Sequence, residues 1–299
     1  MKKIALTSLL SVFAVSGAYA ANTIDGNPLY MPKAGAFYSE TALSSHSETT
    51  KDWALGEEFG YGITDKLAIS VKTGLAEGAE DFTGGDDEMF DTYGWTHLGV
   101  NATFRAFQDG NIVADVYGGV EAGANPAIYN RMAGIPGGGL FYHSDAADDS
   151  WWFDKDLTGY TWTAGVRGGY VSSLFTVAGH FEYSYANSEM FNWGDKGLHM
   201  MTLGLDGQFV IDSNWNLVGG VEYTGITNDH LAYDDLEDPA DNENAGVWTG
   251  YFGVNYNIDA TKYVGAYVNG SMNHHGGDAA DEWEIEDGFG FGVKFGIDF

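Results

Sequence analysis

The side chains able to do chemistry are scattered, and their spacing limits what that chemistry can be. His143 and Ser144 are adjacent, with Asp145, Asp148 and Asp149 close behind. A nucleophilic triad needs its base and nucleophile on converging surfaces, and neighbours in one loop do not supply that. His274-His275 and His180 could ligate a metal, but there is no Cys and no HExxH pattern, so no metal site is expected. Three acidic runs offer hard oxygen ligands. They are Glu77, Glu80, Asp81, Asp86, Asp87, Glu88 and Asp91; then Asp229, Asp234, Asp235, Glu237, Asp238, Asp241 and Glu243; then Asp278, Asp281, Glu282, Glu284, Glu286 and Asp287. None follows the ligand order of a calcium-binding EF-hand loop, so the expectation is no cofactor, with weak Ca²⁺ or Mg²⁺ binding by the loops as the alternative.

The remaining ionisable residues recur at every second position inside runs of alternating character. In 159–171, Thr161, Thr163 and Arg167 alternate with Tyr160, Trp162, Ala164 and Val166. In 174–187, His180 and Glu182 alternate with Phe175, Val177, Phe181 and Tyr183. The period of two is that of a strand whose faces see different surroundings. Sorting the chain this way puts Glu58, Lys72, Arg105, Asp115, Glu121, Arg167, His180, Glu182, Asp206, Glu222 and Lys294 on polar faces.

The elements that must position these residues are strands throughout. Their expected bounds are 34–43, 52–63, 66–75, 92–108, 111–123, 159–171, 174–187, 196–211, 215–226, 246–258, 261–273 and 284–299. Short turns such as Asp109-Gly110-Asn111 and Asp212-Ser213-Asn214 alternate with longer, mostly acidic loops, giving five turns and six loops. No linker interrupts the series, so a single domain is expected over 21–299. Before it, Lys2-Lys3, an apolar run from Ile4 to about Val15, and Ala18-Tyr19-Ala20 have the order of a cleaved signal peptide spanning 1–20.

Composition narrows the class further. The 299 residues include 43 Gly, 9 Trp, 18 Tyr and 18 Phe, with no Cys, and the formal net charge is −30. The charge disfavours nucleic acid as a partner, and 15% aromatic residues is too many for a disordered chain. Packing the bulky faces of twelve strands inside one closed soluble barrel would overfill it, whereas lipid accommodates them outside. A two-sheet soluble sandwich is the alternative that could bury the same faces. Trp53, Tyr61, Tyr160, Trp162, Phe209, Trp215, Tyr223, Trp248 and Tyr263 lie towards strand ends, as interfacial girdles do. The mean hydropathy of −0.20 fits this reading, because alternation averages the two faces.

The leader ending Ala18-Tyr19-Ala20 and the closing run Phe289 to Phe299, with Phe295, Ile297 and the terminal Phe299 on one face, resemble the Gram-negative outer-membrane β-barrel superfamily. Phe59-Gly60-Tyr61-Gly62-Ile63-Thr64-Asp65-Lys66-Leu67 is similar to the strand-turn-strand of the MetA-pathway-of-phenol-degradation transporter family. The resemblance implies an all-β, twelve-stranded antiparallel up-and-down barrel in the outer membrane. It implies lipid and lipopolysaccharide as surroundings, the barrel-assembly machinery as reader of the last strand, long loops outside the cell and short turns in the periplasm. The expected function is a narrow passive channel for small polar or cationic solutes, porin-like and not an enzyme. The alternative is a non-conducting structural or surface-interaction barrel. Trp151, Trp152 and Phe153 in the longest loop, 126–158, are the candidate constriction or contact.

Overall fold

A computed structural model describes residues 26–46, 53–77, 93–123, 159–187, 197–228, 244–275 and 288–299. The expected leader, Trp151, Trp152, Phe153 and most of the acidic loop residues lie outside these. Twelve strands follow one another: β1 Phe37–His46, β2 Trp53–Thr64, β3 Leu67–Glu77, β4 Tyr93–Asp109, β5 Ile112–Gly123, β6 Gly159–Val171, β7 Phe175–Asn187, β8 Gly197–Val210, β9 Trp215–Asn228, β10 Asn244–Asn257, β11 Lys262–His275 and β12 Gly288–Asp298. Each pairs antiparallel with its sequence neighbours, and β1 pairs with β12, closing the barrel. Phe37 and Phe299 exchange both backbone hydrogen bonds at the seam. Closure leaves no strand edge unpaired, which a sheet in hydrocarbon requires.

Alternation decides the faces. Outward rows such as Phe289, Phe291, Val293 and Phe295 on β12, or Met201, Leu203 and Leu205 on β8, are exposed and apolar. Inward rows are polar and buried, as with Asp206 and Gln208 on β8 or Glu222 and Thr224 on β9. With its polar side within, the barrel is the inverse of a water-soluble one, and this discards the sandwich. All five short turns lie at one end, together with the start of β1 and the end of β12. Gly110 turns the β4–β5 hairpin at φ +56°, where a Cβ would be strained.

The inward glycines have a specific partner. Tyr38, Tyr117, Tyr263 and Tyr267 each face a glycine on the adjacent strand, namely Gly60, Gly165, Gly296 and Gly292. A Cβ on any of these four glycines would come within 2.5 Å of the tyrosine ring that covers it. The rings cover bare backbone on the inner wall, where any side chain on these glycines would displace them. This corrects the girdle assignment of Tyr263, which is 1% exposed and inward, its hydroxyl donating to Glu40.

Two further differences concern β1 and its approach. The first strand begins at Phe37 rather than 34, because Gly35 and Ala36 instead join the Gly62 backbone in a turn-like pairing. The chain before it, 26–36, is not an outer tail. It enters the barrel.

Candidate functional site

The site grows from the short-turn end of the lumen. Residues 26–33 carry two prolines, Pro28 and Pro32, which cannot donate to a ladder and keep the segment out of the sheet. Asn27 organises a local turn: its Oδ1 accepts from Leu29 N at 2.9 Å and its carbonyl from Tyr30 N at 3.0 Å. The turn aims Leu29, 2% exposed, into a small apolar pocket made by Val113 of β5 and Ala178 of β7. Gly26 lies so close to Val218 of β9 and Asn255 of β10 that a Cβ would meet them at 2.4 and 2.8 Å. The Tyr30 ring stands edge-on to Tyr38 of β1, 5.6 Å between centroids. The segment therefore touches walls on several sides of the lumen near its short-turn end.

Two arginines hold it. Arg105 of β4 donates through Nη2 to the Leu29 carbonyl at 2.7 Å, and Arg167 of β6 donates through Nη2 to the Tyr30 carbonyl at 3.0 Å. Both are fixed from behind by Asp115 of β5, whose carboxylate is fully buried. Arg105 Nε is 2.9 Å from Oδ1, and Arg167 Nε is 3.1 Å from Oδ2. A β-bulge between Arg105 and Phe107 lets Arg105 point inward while Phe107 faces out.

Above this triad the lumen carries further polar groups. His180 of β7 lies between Asp206 of β8 (Nδ1 to Oδ2, 3.0 Å) and Glu222 of β9 (Nε2 to Oε2, 3.4 Å). Tyr251 donates to Asp206 at 3.1 Å and Thr249 to Glu222 at 3.0 Å. Glu182 accepts from Ser184 at 3.2 Å. Across the barrel, Glu58 of β2 takes the Tyr38 hydroxyl at 2.6 Å and Lys72 of β3 at 3.4 Å. Glu40 of β1 accepts from Tyr263, over whose ring Lys294 sits at 5.4 Å. Glu121 is buried beside Gly99.

All eleven residues assigned to polar faces thus point inward; Glu58 pairs with Lys72, Asp115 with Arg105 and Arg167, and His180 with Asp206 and Glu222. Glu40 joins them without a sequence signal, because Ser39 and Thr41 make the outward row of β1 polar as well and blur its alternation. Leu29 and Tyr30 were also missed. Their sequence signal was an apolar Leu-Tyr-Met between two prolines, just upstream of the first strand. The inward acids Glu40, Glu58, Asp115, Glu121, Glu182, Asp206 and Glu222 outnumber the inward bases Lys72, Arg105, Arg167 and Lys294. Among the described residues, no group of three or more His, Asp or Glu could hold a metal ion. Phe295 and Phe299 are outward and exposed, and Ile297 is half-buried in the same row.

The fold is that of outer-membrane β-barrels. It is similar to an outer-membrane channel from Pseudomonas putida F1, with a TM-score of 0.52, 12% identity, and 90% of this chain and 97% of that chain covered. The NanC porin matches with a TM-score of 0.49 at 7% identity, covering 87% of this chain and 98% of its own. The KdgM porin matches with a TM-score of 0.47 at 8% identity, covering 88% and 99%. No family model matches the sequence, and no curated protein matches it.

Proposed function

We propose that the chain is a narrow, passive outer-membrane channel for small polar or cationic solutes, closed at its short-turn end by its own residues 26–36. The observation that carries this reading is how the segment is held. Ahead of the Gly35 and Ala36 pairing with Gly62, residues 26–33 are not woven into the sheet: two arginine side chains grip backbone carbonyls, and one leucine fills a small pocket. Such an anchor releases without breaking a strand pair. Behind it the lumen wall has more carboxylates than cations, which lowers the energy of a cation there and raises that of an anion.

The long loops face outward from the cell beside lipopolysaccharide, where their acidic runs add to the same field and can share Ca²⁺ or Mg²⁺ with lipid phosphates. Trp151, Trp152 and Phe153 contact solute at the outer mouth. Phe295, Ile297 and Phe299 form the signature that the barrel-assembly machinery reads, after cleavage behind Ala20. The barrel carries out no catalysis. A second reading, a non-conducting structural barrel, is favoured by the extent of charge pairing around Asp115, His180 and Glu58.

The test is reversal potential in planar bilayers under a KCl gradient. Cation selectivity supports the proposal. Anion selectivity, or silence at high protein load, refutes it, and silence favours the structural reading.

A further inference from the structure

The outward rows of the barrel are apolar along their middles except at one place. Ser39 and Thr41 of β1, Glu57 of β2 and Thr73 of β3 share the outer face. Thr41 stands opposite Glu57, and Glu57 opposite Thr73. The assignment is fixed by alternation: Glu57 lies in the row of Leu55, Phe59 and Ile63, all exposed, while its neighbour Glu58 points inward to Lys72. Ser39 Oγ donates to Glu57 Oε1 at 2.7 Å, and Thr41 Oγ1 donates to Oε2. Among the described residues, Glu57 is the only carboxylate in an outward row away from the strand ends.

Its depth makes this costly. Glu57 is seven residues from Thr64 at the short-turn end of β2. At roughly 2.5 Å of height per residue for a tilted strand, that places it about 18 Å up, inside an apolar band about 25 Å tall. Ionisable groups facing hydrocarbon are rare and mark function. The two hydroxyls fill hydrogen-bonding capacity but carry no charge, and among the described residues no cation shares that stretch of the outer face. Around the carboxylate, Leu43, Leu55, Phe59, Val71 and Phe295 form an exposed apolar surface. The ladders from β1 through β3 run unbroken past Glu57, so this is a site on the wall and not an opening in it.

We propose that the outer wall of β1–β3 binds an amphiphile with an ammonium head, Glu57 taking the head and the Leu55–Phe59 row its hydrocarbon chain. An anionic lipid is repelled there, and an uncharged one gains nothing from Glu57. A second copy of the chain offers, among its described residues, no basic side chain in an outward row at that depth. The site is independent of the lumen and of whether the barrel conducts.

The experiment uses the full mature chain in a non-ionic maltoside detergent, with dodecyltrimethylammonium as probe and dodecanol and dodecyl sulfate as controls. Native mass spectrometry should show saturable binding of one probe molecule, weakened at least tenfold by Glu57→Gln, which preserves shape and one acceptor oxygen while removing the charge. On the wild-type barrel, dicyclohexylcarbodiimide should label Glu57, and the probe should protect it. Equal affinity in the variant, equal binding of dodecanol, or absence of protection would overturn the assignment. So would a dimer cross-linked through Thr41→Cys, introduced into this Cys-free chain, since it would give the wall to self-association.

Discussion

Leu29→Ala isolates the anchor of the inner segment from the barrel that holds it. The leucine is 2% exposed against Val113 and Ala178. Buried Leu→Ala changes cost about 2–5 kcal/mol, and the low end applies here because the pocket is small and borders a polar lumen. A loss of about 2 kcal/mol shifts the bound-to-released ratio of the segment by about 30-fold. The carbonyl bonds from Arg105 and Arg167 are left in place, and no strand pairing changes. The expected result in single-channel recording is a closed-state lifetime shortened by about 30-fold, with open-channel conductance unaltered. Thermal stability of the barrel should move little, since its ladders are untouched. Closed lifetimes equal to wild type would refute the reasoning, because the segment would then owe its place to something other than this anchor. A fall in barrel stability of the full 2 kcal/mol would refute it too, by showing that segment and wall unfold together.

Asp115→Asn leaves the Arg105 and Arg167 guanidiniums without their shared counter-charge; removing one partner of a buried pair costs about 3–5 kcal/mol, to be read as a lower urea midpoint at unchanged slope. The double change Asp206→Asn with Glu222→Gln removes two inward carboxylates beside His180, and reversal potentials should shift towards anion permeability. Gly60→Ala puts a methyl into the Tyr38 ring; overpacking of this kind costs about 1–3 kcal/mol, and the loss should shrink in a Tyr38→Leu background if the ring is the obstacle.

The strands were legible because both faces of a membrane barrel impose a period of two and every second connection is a short turn. Phe289 to Phe299 shows this best: one alternating row predicts a face, and the face is found. The start of β1 at Phe37 rather than 34 reflects pairing that no local pattern encodes. Tyr263 was read as a girdle residue from its place at a strand end, but its partner Gly296 makes room for the ring inside. The inner segment was opaque for a different reason. An irregular inner segment has no period; its contacts with Val113, Ala178 and the two arginines depend on strands brought together only by closure. Glu57 was accessible in principle. Two consecutive glutamates on a strand cannot both face the lumen, and assigning Glu58 inward commits Glu57 to the other side.

The central claim is that residues 26–36 close a channel that otherwise conducts. The direct measurement is single-channel conductance of the mature chain beside a version beginning at Ala34, both refolded into planar bilayers of one composition. The account predicts rare, brief openings for the first and sustained, cation-selective conductance for the second. Two equally silent barrels, or two with identical conductance and gating, would contradict it.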